Sequence, residues 1–272
     1  MQSQPQTDGM VFRRTHAHKG RKISVTPQNS TMKHLSYGRI ILDAGTASAS
    51  FQTGASEVSL ICLSGSGTVK ACGQAHELTR FDSIYIPRDS EVEVTTTGSV
   101  DLAECSAEVE GKYPLQVVRY ADVEKDGSLK FVTGGESNTR TVNILIGKNV
   151  QAGRLLAGIT TSEPGNWTSW PPHEHASMLE ELYVYYDMPA PAFGVQFVYT
   201  NPDQPDVVSI VREGDAVLMP RGFHPNVAVP GHPINFVWMM AAHGEVEDRQ
   251  FGVVTVQPGF DRAGTGLEAS RK

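Results

Sequence analysis

The sequence predicts an all-β protein made of two similar halves. Short runs of β-branched and aromatic residues recur along the 272 residues, and glycine, serine, aspartate or proline bounds each run. The chain contains 26 glycines and 16 prolines, and they separate the runs as turn residues separate strands. The runs of the first half lack the 3.6-residue spacing of apolar side chains that is typical of an amphipathic helix.

These predicted strands form two series. The first series lies in the segments 37–45, 57–71, 82–88, 91–98 and 100–107. The second series lies in the segments 140–147, 154–162, 179–188, 194–200, 206–222, 235–243 and 252–259. The two series look alike, which suggests that one half of the chain duplicates the other.

Matching motifs support an internal duplication. Residues 82–88 (DSIYIPR) and 215–221 (DAVLMPR) both contain an acid, four mostly apolar residues, a proline and an arginine. Glu57 opens one strand run as Glu181 opens another. The implied period is roughly 125–135 residues.

The duplication predicts two domains joined by a crossover that mixes charged residues with glycine. Both chain ends are polar, and we expect them to fray. The predicted boundaries are a polar N-terminal arm (1–22), an N-terminal domain (23–118), the crossover (119–138), a C-terminal domain (139–260) and a polar tail (261–272).

Composition narrows the range of partners and compartments. The chain has 23 basic and 30 acidic residues, a net charge of −7, which argues against binding to nucleic acid. No apolar run is long enough for a membrane span or a signal peptide. The three cysteines are scattered and odd in number, so no disulfide framework is expected. We therefore expect a cytoplasmic protein that binds neither membranes nor nucleic acid.

The segment Trp170–His175 (WPPHEH) carries the strongest chemical signal. Alternate residues of a strand face the same side, so His173 and His175 project together while Glu174 points away. A glutamate from a neighbouring strand and His224 from a later strand would complete a set of three imidazoles and one carboxylate. This ligand set suits a divalent transition metal.

The order of these motifs resembles a known family. His-x-His, a strand glutamate and then Gly214, Pro220, Gly222 and His224 resemble the two motifs of cupins, which are jelly-roll barrels also described as double-stranded β-helices. With its duplicated halves the chain is similar to a bicupin. More narrowly, residues 20–258 resemble the 5-deoxy-glucuronate isomerase family of myo-inositol catabolism, which is related to the hexuronate isomerases. The segments that carry this resemblance are GNWTSWPPHEH, EELYVYY, FGVQFVYT, EGDAVLMPRGFHPNVAVPG, EVSLICLSGSGTV and CSAEVEGKYP.

Two glutamates compete for the place of the fourth ligand. The spacing usual in cupins selects Glu180, whereas alignment on the E-x-Y-x-Y strand selects Glu181. We favour Glu181, because Glu181, Tyr183 and Tyr185 then share one inward face of the strand and Leu182 packs outward. No His-x-His precedes Glu57 in the first half, so one metal per chain is expected, in the C-terminal domain.

The resemblance implies an aldose–ketose isomerase. Its substrate would be 5-deoxy-glucuronate or a similar uronate aldose, and its product the ketose 2-deoxy-5-keto-gluconate. The bound metal is expected to be zinc, with manganese, iron and nickel as alternatives. Candidates for the catalytic base are Glu180, Tyr183 and Tyr185. Arg221 is the expected partner of the substrate carboxylate and Gln196 the expected sugar contact.

Two other functions are compatible with the same motifs. A cupin dioxygenase, or another metal-dependent cupin enzyme, would use a similar cage, and oxygen consumption would identify a dioxygenase. A non-catalytic sugar-binding cupin would bind its ligand without turnover. The sequence is also compatible with a homo-oligomer.

Overall fold

Two β-barrels side by side make up the described chain, which in this computed structural model comprises residues 9–260. Each barrel combines a large antiparallel sheet with a four-stranded sheet. This is the all-β bicupin architecture that the sequence predicts. No helix among residues 9–260 has the length and apolarity to cross a membrane.

The first half of the chain supplies eleven strands and one helical turn. They are β1 (Val11–Phe12), β2 (Gly20–Val25), β3 (Ser36–Leu42), β4 (Ser48–Gln52), β5 (Ser56–Gly65), β6 (Gly67–Ala71), β7 (Gln74–Leu78), β8 (Ser83–Ile86), β9 (Glu91–Thr95), β10 (Val100–Glu108), β11 (Gln116–Val118) and α1 (Tyr120–Val123).

The second half supplies twelve strands. They are β12 (Lys130–Thr133), β13 (Arg140–Ile146), β14 (Leu155–Ser162), β15 (Trp167–Thr168), β16 (His173–Glu174), β17 (Leu179–Tyr185), β18 (Gly194–Val198), β19 (Val207–Val211), β20 (Ala216–Met219), β21 (Asn226–Ala228), β22 (Asn235–Ala242) and β23 (Thr255–Val256).

The sheet orders show the duplication directly. The N-terminal barrel joins the sheet β11-β8-β5-β10-β3-β2 to the sheet β4-β9-β6-β7. The C-terminal barrel joins β1-β20-β17-β22-β14-β13-β12 to β15-β21-β18-β19, and β16 pairs separately with β23. Six strands of the first large sheet therefore have counterparts in the same order in the second.

Three apolar clusters stabilise this arrangement. One fills the N-terminal barrel around Leu60 and Leu102, and one fills the C-terminal barrel around Phe236. The third lies between the barrels and takes residues from both, Ile61 and Leu182 among them. Because the two barrels share this third cluster, they pack as one body in the described chain.

Strand β17 separates the interior of its barrel from the cluster between the barrels. Tyr183 and Tyr185 point into the C-terminal barrel, whereas Leu182 and Val184 lie in the cluster between the barrels. Successive strand residues face opposite sides, which produces this division. The alternation predicted from the sequence for these four side chains is confirmed.

Two buried glutamates tie the barrels together in a reciprocal manner. Glu57 of the first barrel accepts hydrogen bonds of 2.7–2.8 Å from the backbone N–H groups of residues 153–155. Glu180 of the second barrel accepts bonds of 2.6–2.7 Å from the N–H groups of residues 33–35. Both side chains are fully buried. Each carboxylate thus accepts hydrogen bonds from three consecutive backbone N–H groups at the start of a strand of the other barrel.

This reciprocity corrects the alignment of the two halves. Glu57 lies opposite Ala107 on β10, and Glu180 lies opposite Ala241 on the equivalent strand β22. The counterpart of Glu57 is therefore Glu180, and not Glu181 as the sequence comparison suggests. The sequence comparison is off by one residue because the second half has two adjacent glutamates at the start of its strand, and either one can be aligned with Glu57.

The N-terminal arm is ordered where the structure describes it, although its polar composition predicts a frayed end. Strand β1 pairs with β20, and the Asp215 carboxylate accepts bonds from the Arg14 amide at 3.0 Å and the Arg13 guanidinium at 2.7 Å. The chain repeats this arrangement where it enters the crossover, since β11, directly before the crossover, pairs with β8, and Asp82 accepts a bond from the Tyr120 amide at 2.9 Å. Tertiary pairing outweighs local composition here. Residues 1–8 and 261–272 lie outside the described residues.

Candidate metal centre

Three histidines converge inside the C-terminal barrel. His173 lies on β16, His175 directly follows that strand, and His224 precedes β21. One ring nitrogen from each comes within 4.8 Å of those of the other two. His175 and His224 are buried and His173 is partly buried. Segments distant in sequence therefore bring the three predicted imidazoles together.

A backbone carbonyl orients each imidazole ring. Nδ1 of His173 bonds the carbonyl of Pro171 at 2.8 Å, and Nδ1 of His224 bonds that of Gly222 at 2.9 Å. Nδ1 of His175 contacts the carbonyl of Val253 at 3.4 Å. A carbonyl can only accept, so each Nδ1 carries the proton and leaves the Nε2 lone pair available. Metal-binding histidines are usually oriented in this way.

Glu181 completes the predicted ligand set. Its Oε2 atom lies 3.1 Å from Nε2 of His224 and 3.5 Å from Nε2 of His175. Glu181 Oε2 and His224 Nε2 are both buried without a hydrogen-bond partner. Buried polar atoms that lack a partner cost free energy, and a cation among these groups would satisfy them. The donor set therefore fits a divalent metal.

The histidines are suited to metal binding in a second respect. Burial is the main cause that lowers the pKa values of His173 and His175, and the neighbouring His224 lowers them further. Both rings are then neutral near neutral pH. Neutral imidazole is the form that binds metals.

The loop before His224 depends on one glycine. Gly222 has a positive φ of 93°, and a side chain there would come within 2.8 Å of the Tyr199 carbonyl oxygen. Its amide donates to the Glu174 carboxylate at 2.9 Å. Glu174, which points away from the histidines, thus ties the loop that carries His224 to the strand that carries His173.

The three predicted catalytic residues occupy different places. Glu180 is turned away from the histidines and holds backbone groups of the other barrel, so the structure does not bring it to the site. Tyr183 lines the cavity beside the histidines, and its hydroxyl hydrogen-bonds Ser169 Oγ at 2.7 Å. Burial, followed by the Glu181 charge, raises the Tyr183 pKa. Tyr185 donates its hydroxyl proton to Gln196 and does not line the cavity.

Gln196, the predicted sugar contact, lies beside the His224 loop and does not line the cavity. Its side chain is fully buried, and its amide nitrogen donates to the carbonyl of His224 at 2.9 Å and of Pro225 at 3.3 Å. Its amide oxygen accepts bonds from Tyr185 and from Asn226. Its side chain is enclosed within the barrel, and these partners leave it no place against a ligand.

Arg221 also lies away from the cavity. It is exposed on the turn after β20, and the cavity lining does not include it. Its closeness to His224 in the sequence predicts Arg221 as the partner of the substrate carboxylate, but the turn directs the Arg221 side chain outward. The arginine that does line the cavity is Arg140, the first residue of β13. Strand alternation with Val142, which also lines the cavity, is the sequence signal that could have found it.

The cavity beside the histidines is lined by polar and apolar side chains, and most of its surface is apolar. Its volume is about 90 Å³. Phe251, Gly252 and Val254 of the C-terminal segment 251–257 form one wall, and the same segment pairs through β23 with His173 and Glu174. The apolar lining includes Phe131, Val142, Phe236, Trp238, Met240 and Phe251.

Comparison with known proteins identifies the family. The model of the KduI/IolB family matches residues 11–253. The chain belongs to the KduI/IolB family. The sequence-based prediction of this isomerase family is thereby confirmed.

Two curated relatives of this KduI/IolB member carry the same name. This chain is 28% identical over 240 residues to the 5-deoxy-glucuronate isomerase of Geobacillus kaustophilus, covering 82% of this chain and 85% of the relative. It is 29% identical over 238 residues to the protein of that name from Bacillus subtilis strain 168, covering 80% of this chain and 84% of the relative.

Solved structures agree on the fold. An IolB-like protein from Salmonella typhimurium superposes with a TM-score of 0.80 at 24% identity, covering 93% of this chain and 98% of that one. Oxalate decarboxylase from Bacillus subtilis, studied for its Mn(II) centres, superposes with a TM-score of 0.61 at 11% identity, covering 86% and 79%. At these identities the likeness supports the bicupin fold alone.

Proposed function

We propose that this KduI/IolB-family protein is a metal-dependent isomerase that converts 5-deoxy-glucuronate, or a similar uronate aldose, into the corresponding ketose. One observation supports this chemistry. Three oriented imidazoles and the Glu181 carboxylate meet beside a cavity, and two of their buried atoms, Glu181 Oε2 and His224 Nε2, have no hydrogen-bond partner. The curated relatives supply the substrate class, since they are named 5-deoxy-glucuronate isomerases.

His173, His175, His224 and Glu181 would hold one divalent metal, with zinc the first choice and manganese, iron and nickel as alternatives. When bound, such a metal supplies Lewis-acid chemistry that polarises a carbonyl group. The isomerisation requires no change in the metal's oxidation state, and zinc meets this condition. The reaction consumes no redox cofactor, because the aldehyde carbon is reduced and the adjacent carbon is oxidised within one molecule.

The protein must move protons between two adjacent carbons and their oxygens. The C–H bond of the hydroxyl-bearing carbon breaks and a new C–H bond forms at the former aldehyde carbon. The hydroxyl proton leaves one oxygen and a proton reaches the other. Tyr183 is the predicted acid–base residue that lines the cavity, and its Oη atom can exchange a proton there while Ser169 Oγ holds the hydroxyl.

The cavity must widen to take a sugar acid. Ligand sites usually measure about 300–1,000 Å³, more than the volume of about 90 Å³ found here. The segment 251–257 is the wall that we propose to move, because only two of its residues pair with a strand, β16. Its other links include the bond from the Tyr199 hydroxyl to Gln257, the bond from the Gln257 amide to the Pro172 carbonyl and the stacking of Phe251 on Trp238. Opening of this segment would admit the sugar, and its return would exclude water.

The test is turnover. Metal-replete protein incubated with 5-deoxy-glucuronate should form the ketose, followed by nuclear magnetic resonance, without consuming oxygen. His224→Ala protein that stays folded should form none. Oxygen consumption would identify a dioxygenase instead, and sugar binding without product would identify a binding protein. Cytoplasmic localisation and a homo-oligomeric state stay predictions from the sequence.

A further inference from the structure

Arg140 is a buried charged side chain in the same cavity as the histidines. It is the first residue of β13 and is only 7% exposed. Strand alternation turns Arg140 and Val142 toward the inside of the C-terminal barrel, and both line the cavity. The guanidinium thus faces the space in which a ligand would lie.

The partners of Arg140 leave its charge uncompensated. Its two Nη atoms donate to the backbone carbonyls of Asn138 at 2.9 Å and Trp170 at 2.6 Å. A guanidinium has five N–H donors, and within residues 9–260 no further acceptor bonds to this one and no carboxylate lies within ion-pair distance. The two carbonyls fix its position and leave donors for another group.

Arg39 provides the contrast within the same chain. It is 2% exposed, as buried as Arg140, and its guanidinium forms a two-pronged pair with the Asp101 carboxylate. A buried charge without a partner is strongly unfavourable, so buried arginines normally have such a carboxylate. Burial lowers the pKa of Arg140 to about 10, which still leaves the group protonated at neutral pH.

We infer that Arg140 binds the carboxylate of the sugar acid, an inference that rests on the proposed function for its ligand class. Guanidinium groups bind carboxylates through two parallel hydrogen bonds, and a buried one does so most strongly. Arg140 donates a hydrogen bond to the carbonyl of Trp170, three residues before His173. The same segment of the chain therefore positions both the arginine and the first histidine. A sugar acid carries a carboxylate at one end and the reacting carbonyl at the other, and Arg140, His173 and His175 line the one cavity that would receive it once widened.

Selectivity between two ligands tests this inference without turnover. Glucuronate and glucose differ by a carboxylate in place of a neutral alcohol, and both can be titrated calorimetrically into metal-replete protein. Wild type should prefer glucuronate. Arg140→Gln should lower its affinity about 10- to 100-fold while glucose affinity stays, and Arg140→Lys should keep part of the preference. Arg221→Gln, which removes an exposed arginine, should behave as wild type.

The inference is overturned if wild type does not prefer glucuronate, if folded Arg140→Gln keeps the wild-type preference, or if Arg221→Gln loses it. If circular dichroism shows that Arg140→Gln does not fold, Arg140→Lys is compared with Arg140→Met instead. An equal preference for glucuronate over glucose in these two variants would also overturn the inference. Turnover of 5-deoxy-glucuronate by wild type is measured separately. Arginine-dependent selectivity without turnover would uphold the anion site and reject the isomerase.

Discussion

Glu180 and Glu181 are adjacent on β17, yet their carboxylates serve different parts of the molecule. Glu180 accepts three backbone hydrogen bonds from the N-terminal barrel, whereas Glu181 lies 3.1 Å from Nε2 of His224 inside the C-terminal barrel. Side chains of successive strand residues face opposite sides, so one strand both joins the barrels and supplies the candidate metal centre. Substitution at the two positions should therefore have separable effects.

Glu180→Gln should destabilise the protein without removing metal from the folded form. An amide presents an NH₂ group to backbone donors, so we expect a loss of about 2–3 kcal/mol in the free energy of unfolding. Glu57→Gln, at the matching position of the other barrel, should lose a similar amount. Urea denaturation measures both. Wild-type stability in either variant would contradict a joining role for these carboxylates.

Tyr183→Phe should keep its metal and lose turnover by about 10²–10⁴-fold, because the hydroxyl that lines the cavity is removed. Tyr185→Phe is the matched control, since that hydroxyl bonds Gln196 away from the cavity. Steady-state kinetics on 5-deoxy-glucuronate and elemental analysis compare the two. Equal losses of turnover would remove Tyr183 from the proposed chemistry.

Gln196→Leu should weaken metal binding by about 10- to 100-fold, because it removes the amide that holds the backbone carbonyl of His224. The exposed Gln204 offers a matched control, and Gln204→Leu should leave affinity unchanged. Competition with a coloured zinc chelator gives both values. Unchanged metal affinity in folded Gln196→Leu would mean that the loop carrying His224 keeps its position without the Gln196 hydrogen bond.

Cys72 should be the thiol that iodoacetamide modifies in the native protein. It is exposed, whereas Cys62 and Cys105 are buried, and burial raises the pKa of Cys62 to about 12. The reactive thiolate of Cys62 is then on the order of one part in 10⁴ at pH 8. Mass spectrometry after labelling should find Cys72 alone, and all three cysteines after denaturation. Rapid native labelling of Cys62 would show that the N-terminal barrel opens.

The sequence predicts features that follow from local periodicity. Alternation on one strand correctly assigns the opposite faces of Tyr183 and Leu182, and the His-x-His spacing brings His173 and His175 together. The position of Arg221 did not follow, because the turn after β20 directs this side chain outward. Arg140 was missed because closeness to His224 in the sequence favoured Arg221, although strand alternation places Arg140 on the same side as Val142.

Long-range pairing is the other feature that the sequence hides. The arm residue Arg13 looks like part of a frayed polar end, but Asp215 binds it from more than two hundred positions away in the chain. Gln196 is expected from the sequence to contact the sugar, whereas the structure shows it bonded to other groups of the protein, the His224 carbonyl among them. Such partners depend on the whole fold and not on the segment that carries the residue.

The metal content of the two glutamate variants tests the central claim most directly. Wild-type and variant proteins would be loaded with zinc, freed of excess by gel filtration and subjected to elemental analysis. Wild type and folded Glu180→Gln should each hold one zinc per chain, and Glu181→Gln should hold almost none, because a carboxylate ligand is lost. Two zinc ions per wild-type chain, or zinc retained by Glu181→Gln and lost by Glu180→Gln, would contradict a single centre built on His173, His175, His224 and Glu181.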